Sequence, residues 1–265
     1  MRKRAIVLSL AFACAATAAW AQTTAPQKPF EPTVGQAGKD VVWVPTPQSL
    51  VDKMLDMANV TPKDIVMDLG SGDGRTVITA AKRGAIARGV EYDPEMVELS
   101  KRNAAAAGVT DRATFVKEDL FKTDLSKATV ITMFLLPRIN MELRPKLLEL
   151  KPGTRIVSNS FTMEDWQADE TEKVENGCEV WCTALLWIVP AKVGGNWKLP
   201  AGQLALTQQF QMLSGTLGTT PISEGRVRGD MVSFTVNGVQ YEGRVSGNTI
   251  AGKAGGKPFT ATRQH

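Results

Sequence analysis

The chain has 265 residues, of which 43% are hydrophobic and 22% are charged. This length suits one medium-sized domain with a smaller addition, and the composition excludes an intrinsically disordered protein. The 31 basic residues exceed the 27 acidic ones, but three of them lie at positions 2–4. Without those three the chain is nearly neutral, so it lacks the positive field of a polyanion-binding protein and no nucleic-acid partner is expected.

The first 21 residues have the three parts of a secretory signal peptide. Basic residues 2–4 are followed by an apolar run over 5–19 and by Ala19-Trp20-Ala21, a typical cleavage site before Gln22. The apolar run is short for a membrane span, which needs ~20 residues. We therefore expect residues 1–21 to be removed and a periplasmic or secreted protein to result, with no transmembrane span. An uncleaved membrane anchor is the alternative.

A linker rich in Pro, Gly and Thr is predicted over residues 22–39, and from residue 40 the pattern alternates between helices and strands. Helices are predicted over 47–58, 75–82, 94–107 and 139–150, and strands over 64–68, 87–92, 113–117, 129–135, 154–160 and 180–189. Repeated strand–helix–strand units predict a parallel sheet with helices on both faces. Residues 40–193 are therefore expected to form an α/β, Rossmann-like doubly wound domain.

Residues 194–265 have a different pattern, with alternating apolar residues and no predicted helix. Asn237-Gly238 is typical of a tight hairpin turn, and the sequence of 225–232 is repeated at 243–250. These features predict a small all-β domain, an antiparallel meander or a barrel. Its seven basic and three acidic residues favour packing on the slightly acidic first domain. The alternative is recruitment of an acidic partner or an envelope surface.

Two cysteines follow the predicted signal peptide, Cys178 and Cys182. On a strand, residues four apart are separated by roughly 13 Å, which is too far for a disulfide. We interpret the pair as packing thiols, with a disulfide or a metal ligand pair as the alternatives. No metal site is expected.

A glycine-rich loop lies in IVMDLGSGDGR, residues 65–75, between a predicted strand and a predicted helix. Glycine lets the backbone turn sharply and lie against a ligand, and the helix N-terminus offers free N–H groups. The dinucleotide-binding fingerprint would place its third glycine at Arg75. This loop departs from that fingerprint.

Acidic residues end three successive predicted strands: Asp68, Glu91 and Asp119. A carboxylate at Asp68 would repel a pyrophosphate but attract the ammonium and sulfonium of S-adenosyl-L-methionine. Glu91 is placed to accept the ribose hydroxyls, and Asp119 to accept from the adenine amino group. The predicted cofactor is therefore S-adenosyl-L-methionine, with contacts from Asp68, Gly70, Ser71, Gly72, Asp73, Gly74, Glu91, Tyr92, Asp119 and Leu120.

From residue 40 to about 166 the sequence resembles the seven-β-strand protein-lysine methyltransferases, in particular the archaeal broad-specificity enzymes and the mitochondrial enzymes that methylate the ATP synthase c-subunit. The resemblance is carried by WVPTPQSLVDKML, VMDLGSGDGRTVITAAK, EDLFKTDLSKATVITMFLLP and LKPGTRIVSNSFTMEDW. It implies a protein partner whose lysine side chains accept the methyl group. It also implies that Thr46 and Pro47 close over the cofactor and that Phe134, Leu135 and Pro137 line the methyl-transfer face. Relatives often have Tyr at the position of Phe134.

The single histidine, His265, is the last residue, so acceptors that need a histidine base are disfavoured. Methyl transfer from a sulfonium mainly requires positioning, to which Asn140 and Asn159 are candidate polar contributors. Two alternatives stay open. One is a methyltransferase for a small molecule or another macromolecule, and the other is an exported binding protein with a vestigial methyltransferase domain.

Overall fold

A computed structural model describes residues 30–264. The predicted signal peptide and residues 22–29 lie outside the described residues. Two β-sheets organise this part of the chain, and from Glu31 onward it belongs to one compact unit. The described part contains no helix that is both long enough and apolar enough to cross a membrane.

The first sheet has seven strands and is flanked by four helices. The strands are β1 (Ile65–Leu69), β2 (Ile86–Glu91), β3 (Ala113–Lys117), β4 (Val130–Met133), β5 (Arg155–Asn159), β6 (Glu170–Lys173) and β7 (Thr183–Ile188). The helices are α1 (Gln48–Met57), α2 (Arg75–Lys82), α3 (Pro94–Ala106) and α4 (Pro137–Leu148). The strand order is β3-β2-β1-β4-β5-β7-β6, with β1 to β5 parallel and β7 antiparallel to both of its neighbours.

Alternate residues of each strand face opposite sides of the sheet, which builds two apolar layers. Val66 and Val130 belong to the layer that α1, α2 and α3 cover. Met67 and Ile131, the next residues along, belong to the layer that α4 covers. Helices on both faces of a mostly parallel sheet confirm the predicted doubly wound α/β fold.

The second sheet is an antiparallel barrel. Its strands are β8 (Gly195–Leu199), β9 (Gly202–Gln209), β10 (Met212–Leu217), β11 (Thr220–Pro221), β12 (Ser223–Arg228), β13 (Met231–Val236), β14 (Val239–Ser246), β15 (Thr249–Ala254) and β16 (Lys257–Arg263). Pairing of β9 with β10 closes eight strands into a ring, and the two-residue β11 lies beside β10. The predicted hairpin turn is confirmed: Val236 pairs with Val239, and Asn237 and Gly238 both have positive φ.

The barrel packs against the segment between β5 and β6. The rings of Trp166 and Phe210 stack with centroids 5.9 Å apart, and Gln211 donates to the Gln167 carbonyl at 2.7 Å. Arg226 pairs with Asp169, whose side chain is fully buried, at 2.6 Å. Part of the barrel's positive charge therefore serves this contact, which favours packing over recruitment. The division of the chain into two domains at residue 194 stays a prediction.

Cys178 and Cys182 form a disulfide, so their interpretation as packing thiols was wrong. The predicted strand over 180–189 begins only at Thr183, and both cysteines precede it in the β6–β7 loop. Backbone turns in that loop bring their Cα atoms to 5.7 Å, within the range that a disulfide spans. The 13 Å separation assumed an extended strand that does not exist there.

Candidate active site

A cavity of about 540 Å³ opens at the carboxyl ends of the parallel strands. The chain winds away from β1 in opposite directions, toward β2 on one side and β4 on the other, and ligands of α/β sheets bind at such a switch point. Twelve of the fifteen predicted site residues line the cavity: Thr46, Asp68, Gly70, Ser71, Gly72, Asp73, Glu91, Tyr92, Asp119, Leu120, Phe134 and Leu135.

The other three predicted site residues lie beside the cavity and serve the backbone. Pro47 is the residue before α1, and Pro137 is the first residue of α4. Gly74 precedes α2 with a φ of +83°, and a Cβ there would approach the Phe115 ring to 2.8 Å. These positions shape the turns that aim their neighbours into the cavity.

Asp68 ends β1 as a buried carboxyl group, and the Thr132 hydroxyl donates to it at 2.6 Å. Burial raises the pKa of Asp68 to about 7, since the hydrogen bond from Thr132 only partly opposes it and the nearby carboxylates of Glu91 and Asp73 raise it further. A buried carboxyl group of this kind is stabilised in its ionised form by a cationic ligand. Asp68 is therefore suited to hold an ammonium or sulfonium.

The glycine loop forms a cradle closed by Glu91. One carboxylate oxygen of Glu91 accepts the Gly72 N–H at 2.9 Å, and the other accepts from the Tyr92 and Asp93 N–H groups at 2.8 and 3.1 Å. Gly72 has a φ of +53°, and a Cβ there would lie 2.7 Å from Nε1 of Trp43. The buried Ser71 hydroxyl has no hydrogen-bond partner within residues 30–264. A polar ligand in the cradle would supply one.

Asp119 lines the cavity but already has a cationic partner. Lys39 donates to it at 3.0 Å and lies over the Tyr92 ring, 4.6 Å from its centroid. The hydrogen bond from Lys39 is the main cause of the lowered pKa of Asp119, with a second contribution from the Phe121 N–H. An adenine amino group would have to share Asp119 with Lys39.

Residues 36–44, here called the cover segment, form one wall of the cavity. Within it, Trp43 donates its N–H to the Gln36 carbonyl at 2.9 Å, and Ala37 bridges to Val42. Sequence reasoning assigned most of this wall to a linker and missed Lys39 and Trp43. A signal was available in the tryptophan directly before the V-P-T-P motif.

Thr46 is fixed over the cavity by two polar contacts. Arg75 donates to the Thr46 carbonyl at 2.9 Å, and Asn159 donates to its hydroxyl at 3.3 Å. Asn140, the other predicted polar contributor, donates to the carbonyls of Phe161 and Thr162, both at 3.2 Å. Both asparagines are buried and support the cavity wall from behind, outside its lining.

The β4–β5–β7 side of the cavity is aromatic. Phe134 and Phe161 stack with centroids 5.8 Å apart, and Trp181 lies 5.0 Å from Phe161 and 6.3 Å from Phe134. Only Phe134 was predicted. Phe161 and Trp181 lie in loops whose course the sequence does not reveal.

The cavity thus has an acidic half beside β1 to β3 and an aromatic half beside β4, β5 and β7. Its lining includes seven acidic residues and two basic ones, Lys39 and Arg75, both paired with carboxylates. In the described part of the chain, no group of three or more His, Cys, Asp or Glu side chains is placed to hold a metal ion. The arrangement suits a cationic, partly apolar ligand pair.

Comparisons with known proteins identify the fold and its chemistry. The family model of the ANTKMT methyltransferase domain matches residues 68–170. A protein-lysine N-methyltransferase of Saccharolobus islandicus is 49% identical over 140 residues, covering 52% of this chain and 87% of that protein. The lysine N-methyltransferase of Mus musculus that is named for the ATP synthase c-subunit is 36% identical over 130 residues, and the match spans about half of each protein.

A solved structure is also similar, an RNA methyltransferase from Salinibacter ruber in complex with S-adenosyl-L-homocysteine. It is 45% identical, with a TM-score of 0.53, covering 57% of this chain and 96% of that one. The cavity independently fits such a cofactor, through the buried Asp68, the unpartnered Ser71 hydroxyl and the cradle at Gly72. The chain belongs to the class I S-adenosylmethionine-dependent methyltransferases, in the family that includes the archaeal protein-lysine N-methyltransferase.

Proposed function

We propose that this protein transfers methyl groups to lysine side chains of a protein. The acidic cavity lining carries this proposal, because seven carboxylates attract a cationic lysine and repel the phosphates of a nucleic acid. The names of the Saccharolobus and mouse relatives support the same acceptor.

Asp68, Glu91 and Asp119 would hold the cofactor, with Asp68 receiving its positive charge. When bound, S-adenosylmethionine supplies a methyl group that its sulfonium has already activated. The chain's own task is to position the amine and to remove its proton. Met133, Leu135 and Ile139, all buried and all lining the cavity, lower the pKa of an incoming lysine amine by desolvation.

The acceptor is tested with cofactor carrying a labelled methyl group, added to the purified protein and a lysate of the same cell. We expect label on lysine residues, located by mass spectrometry, and a rate that rises from neutral to alkaline pH as the free amine increases. Parallel digestions with protease and ribonuclease separate protein from RNA, the acceptor class for which the Salinibacter protein is named. Label that is confined to RNA or small molecules contradicts the proposal.

We also propose that the protein works in an oxidising compartment outside the cytosol. The Cys178–Cys182 disulfide supports this, since such bonds persist in exported proteins and are rare in the cytosol. The signal peptide predicted over residues 1–21 supports it independently. A reporter fused after Gln22 should reach the envelope or the medium, and a reporter that stays in the cytosol contradicts the proposal.

A further inference from the structure

The loop between β6 and β7, residues 174–182, here called the disulfide loop, brings a tryptophan to the cavity. We propose that Trp181, held in place by the Cys178–Cys182 disulfide, completes with Phe134 and Phe161 an aromatic wall that receives the acceptor lysine side chain. This inference rests on the proposed function and names the surface that recognises the acceptor.

Sheet topology explains why the three rings meet. Phe134 follows β4 and Phe161 follows β5, so both lie at the carboxyl edge of the parallel strands. Strand β7 runs antiparallel to β5, with Ala184 opposite Asn159. The start of β7, and Trp181 just before it, therefore lie at the same edge.

Phe161 is fixed by the protein core. Its carbonyl accepts from the Ser158 hydroxyl at 2.8 Å and from the Asn140 side chain at 3.2 Å. Ser158 and Asn140 are both fully buried. This part of the wall needs no support from the disulfide loop.

Trp181 lies in the disulfide loop, beyond the reach of such core contacts. Its side chain is 44% exposed and its φ is +59°, a left-handed conformation that is uncommon for a bulky residue. Three contacts hold the loop: the disulfide next to Trp181, the Ser49 hydroxyl on the Gly177 carbonyl at 2.8 Å, and the Val174 N–H on the Cys182 carbonyl at 2.9 Å. Only the disulfide restrains the residues on both sides of Trp181.

The chemistry of the wall fits a lysine. The aliphatic stem of a lysine packs on ring faces, and its ammonium is attracted to an aromatic ring within about 6 Å of the centroid. The wall extends from half-buried Phe134 and Phe161 to exposed Trp181, so it can guide the side chain inward. A nucleobase could also stack there, but its phosphates would meet the acidic lining.

The wall is tested by steady-state kinetics with an oligolysine peptide and by calorimetry with S-adenosylhomocysteine. Trp181→Ala should raise the KM for the peptide about tenfold, the loss expected for a cation–π and packing contact, and leave the cofactor Kd unchanged. Trp181→Phe should recover most of the affinity. Val180→Ala is the matched control, since Val180 is 62% exposed and lies outside the cavity lining.

The role of the disulfide is tested in the same assay. Replacing both cysteines by serine, or adding dithiothreitol, should raise the peptide KM as Trp181→Ala does, with an unchanged cofactor Kd. Dithiothreitol should have no further effect on the Trp181→Ala variant, because both changes remove the same contact.

The outcomes separate this inference from the function on which it rests. Lysine methylation with an unchanged KM in Trp181→Ala overturns the wall and leaves the function standing. An intact protein that binds cofactor but methylates no lysine overturns both. A nucleic-acid acceptor whose KM depends on Trp181 would assign the wall to base stacking and overturn the lysine assignment. Thermal melting of each variant confirms that it is folded.

Discussion

At the level of single residues, the acidic half of the cavity holds three carboxyl groups in different environments. Asp68 is buried and has a pKa of about 7, Glu91 accepts three backbone N–H groups, and Asp119 pairs with Lys39. Asp68 alone is expected to change its protonation on cofactor binding at neutral pH, because a cation lowers the pKa of a buried carboxyl group.

Cofactor affinity should therefore depend on pH through Asp68. If only the ionised carboxylate binds the cofactor cation, affinity for S-adenosylmethionine rises roughly tenfold from pH 6 to pH 8, because a group with a pKa near 7 ionises over that range. Calorimetry near pH 6, in buffers with different ionisation enthalpies, should detect proton release. Asp68→Asn should bind more weakly and lose the pH dependence. A wild-type affinity that is equal at both pH values contradicts this role.

The three acids could be predicted from the sequence because the ends of neighbouring parallel strands meet at one edge of a sheet. Lys39 and Trp43 could not, because their positions depend on how the cover segment folds back over the glycine loop. The same holds for Trp181, which reaches the cavity through a loop of irregular conformation. Local pattern predicts residues on regular elements, and tertiary contacts decide the rest.

At the level of elements, the segment between β5 and β6 joins the cavity to the barrel. It begins beside Phe161 in the aromatic wall and continues to Trp166, which stacks on Phe210 of the β9–β10 turn. Arg144 of α4 lies over the same Phe210 ring, 5.3 Å from its centroid. The barrel therefore supports the back of the segment that carries one side of the acceptor wall.

Removing the Phe210 ring should destabilise the protein. Phe210→Ala leaves the buried Trp166 without its stacking partner, and we expect a loss of about 2–3 kcal/mol in the free energy of unfolding, less than for a fully buried ring. Thermal melting should show a Tm lower by several degrees. Met212→Ala, at an exposed position on β10, is the control and should change the Tm little. Equal melting of the two variants would show that the stacking contact carries no stability.

Element types were predicted better than element ends. The helices and the first five strands of the parallel sheet lie within two residues of their predicted ends, because amphipathic periodicity and the glycine and proline positions mark them. The predicted strand over 180–189 was too long, because its first residues form the disulfide loop. Apolar residues such as Val180 and Trp181 suggested a strand there, but they are exposed.

At the level of the whole molecule, one edge of the sheet brings the two halves of the site together. Strands β1 to β3 supply the carboxylates of the cofactor half, and β4, β5 and β7 supply the aromatic half. The closed barrel adds no residue to the cavity lining and contacts the sheet from outside. Cofactor binding is therefore a property of the α/β part, on which every other statement about function depends.

Calorimetric titration of the intact protein with S-adenosylmethionine and S-adenosylhomocysteine tests this central claim most directly. We predict that both bind and that Glu91→Ala weakens both roughly ten- to a hundredfold, the loss expected for a charge-assisted hydrogen bond. Glu98→Ala, on the exposed face of α3 and outside the cavity lining, should bind as the intact protein does. The absence of binding to the folded intact protein, or an unchanged affinity in Glu91→Ala, would contradict the account.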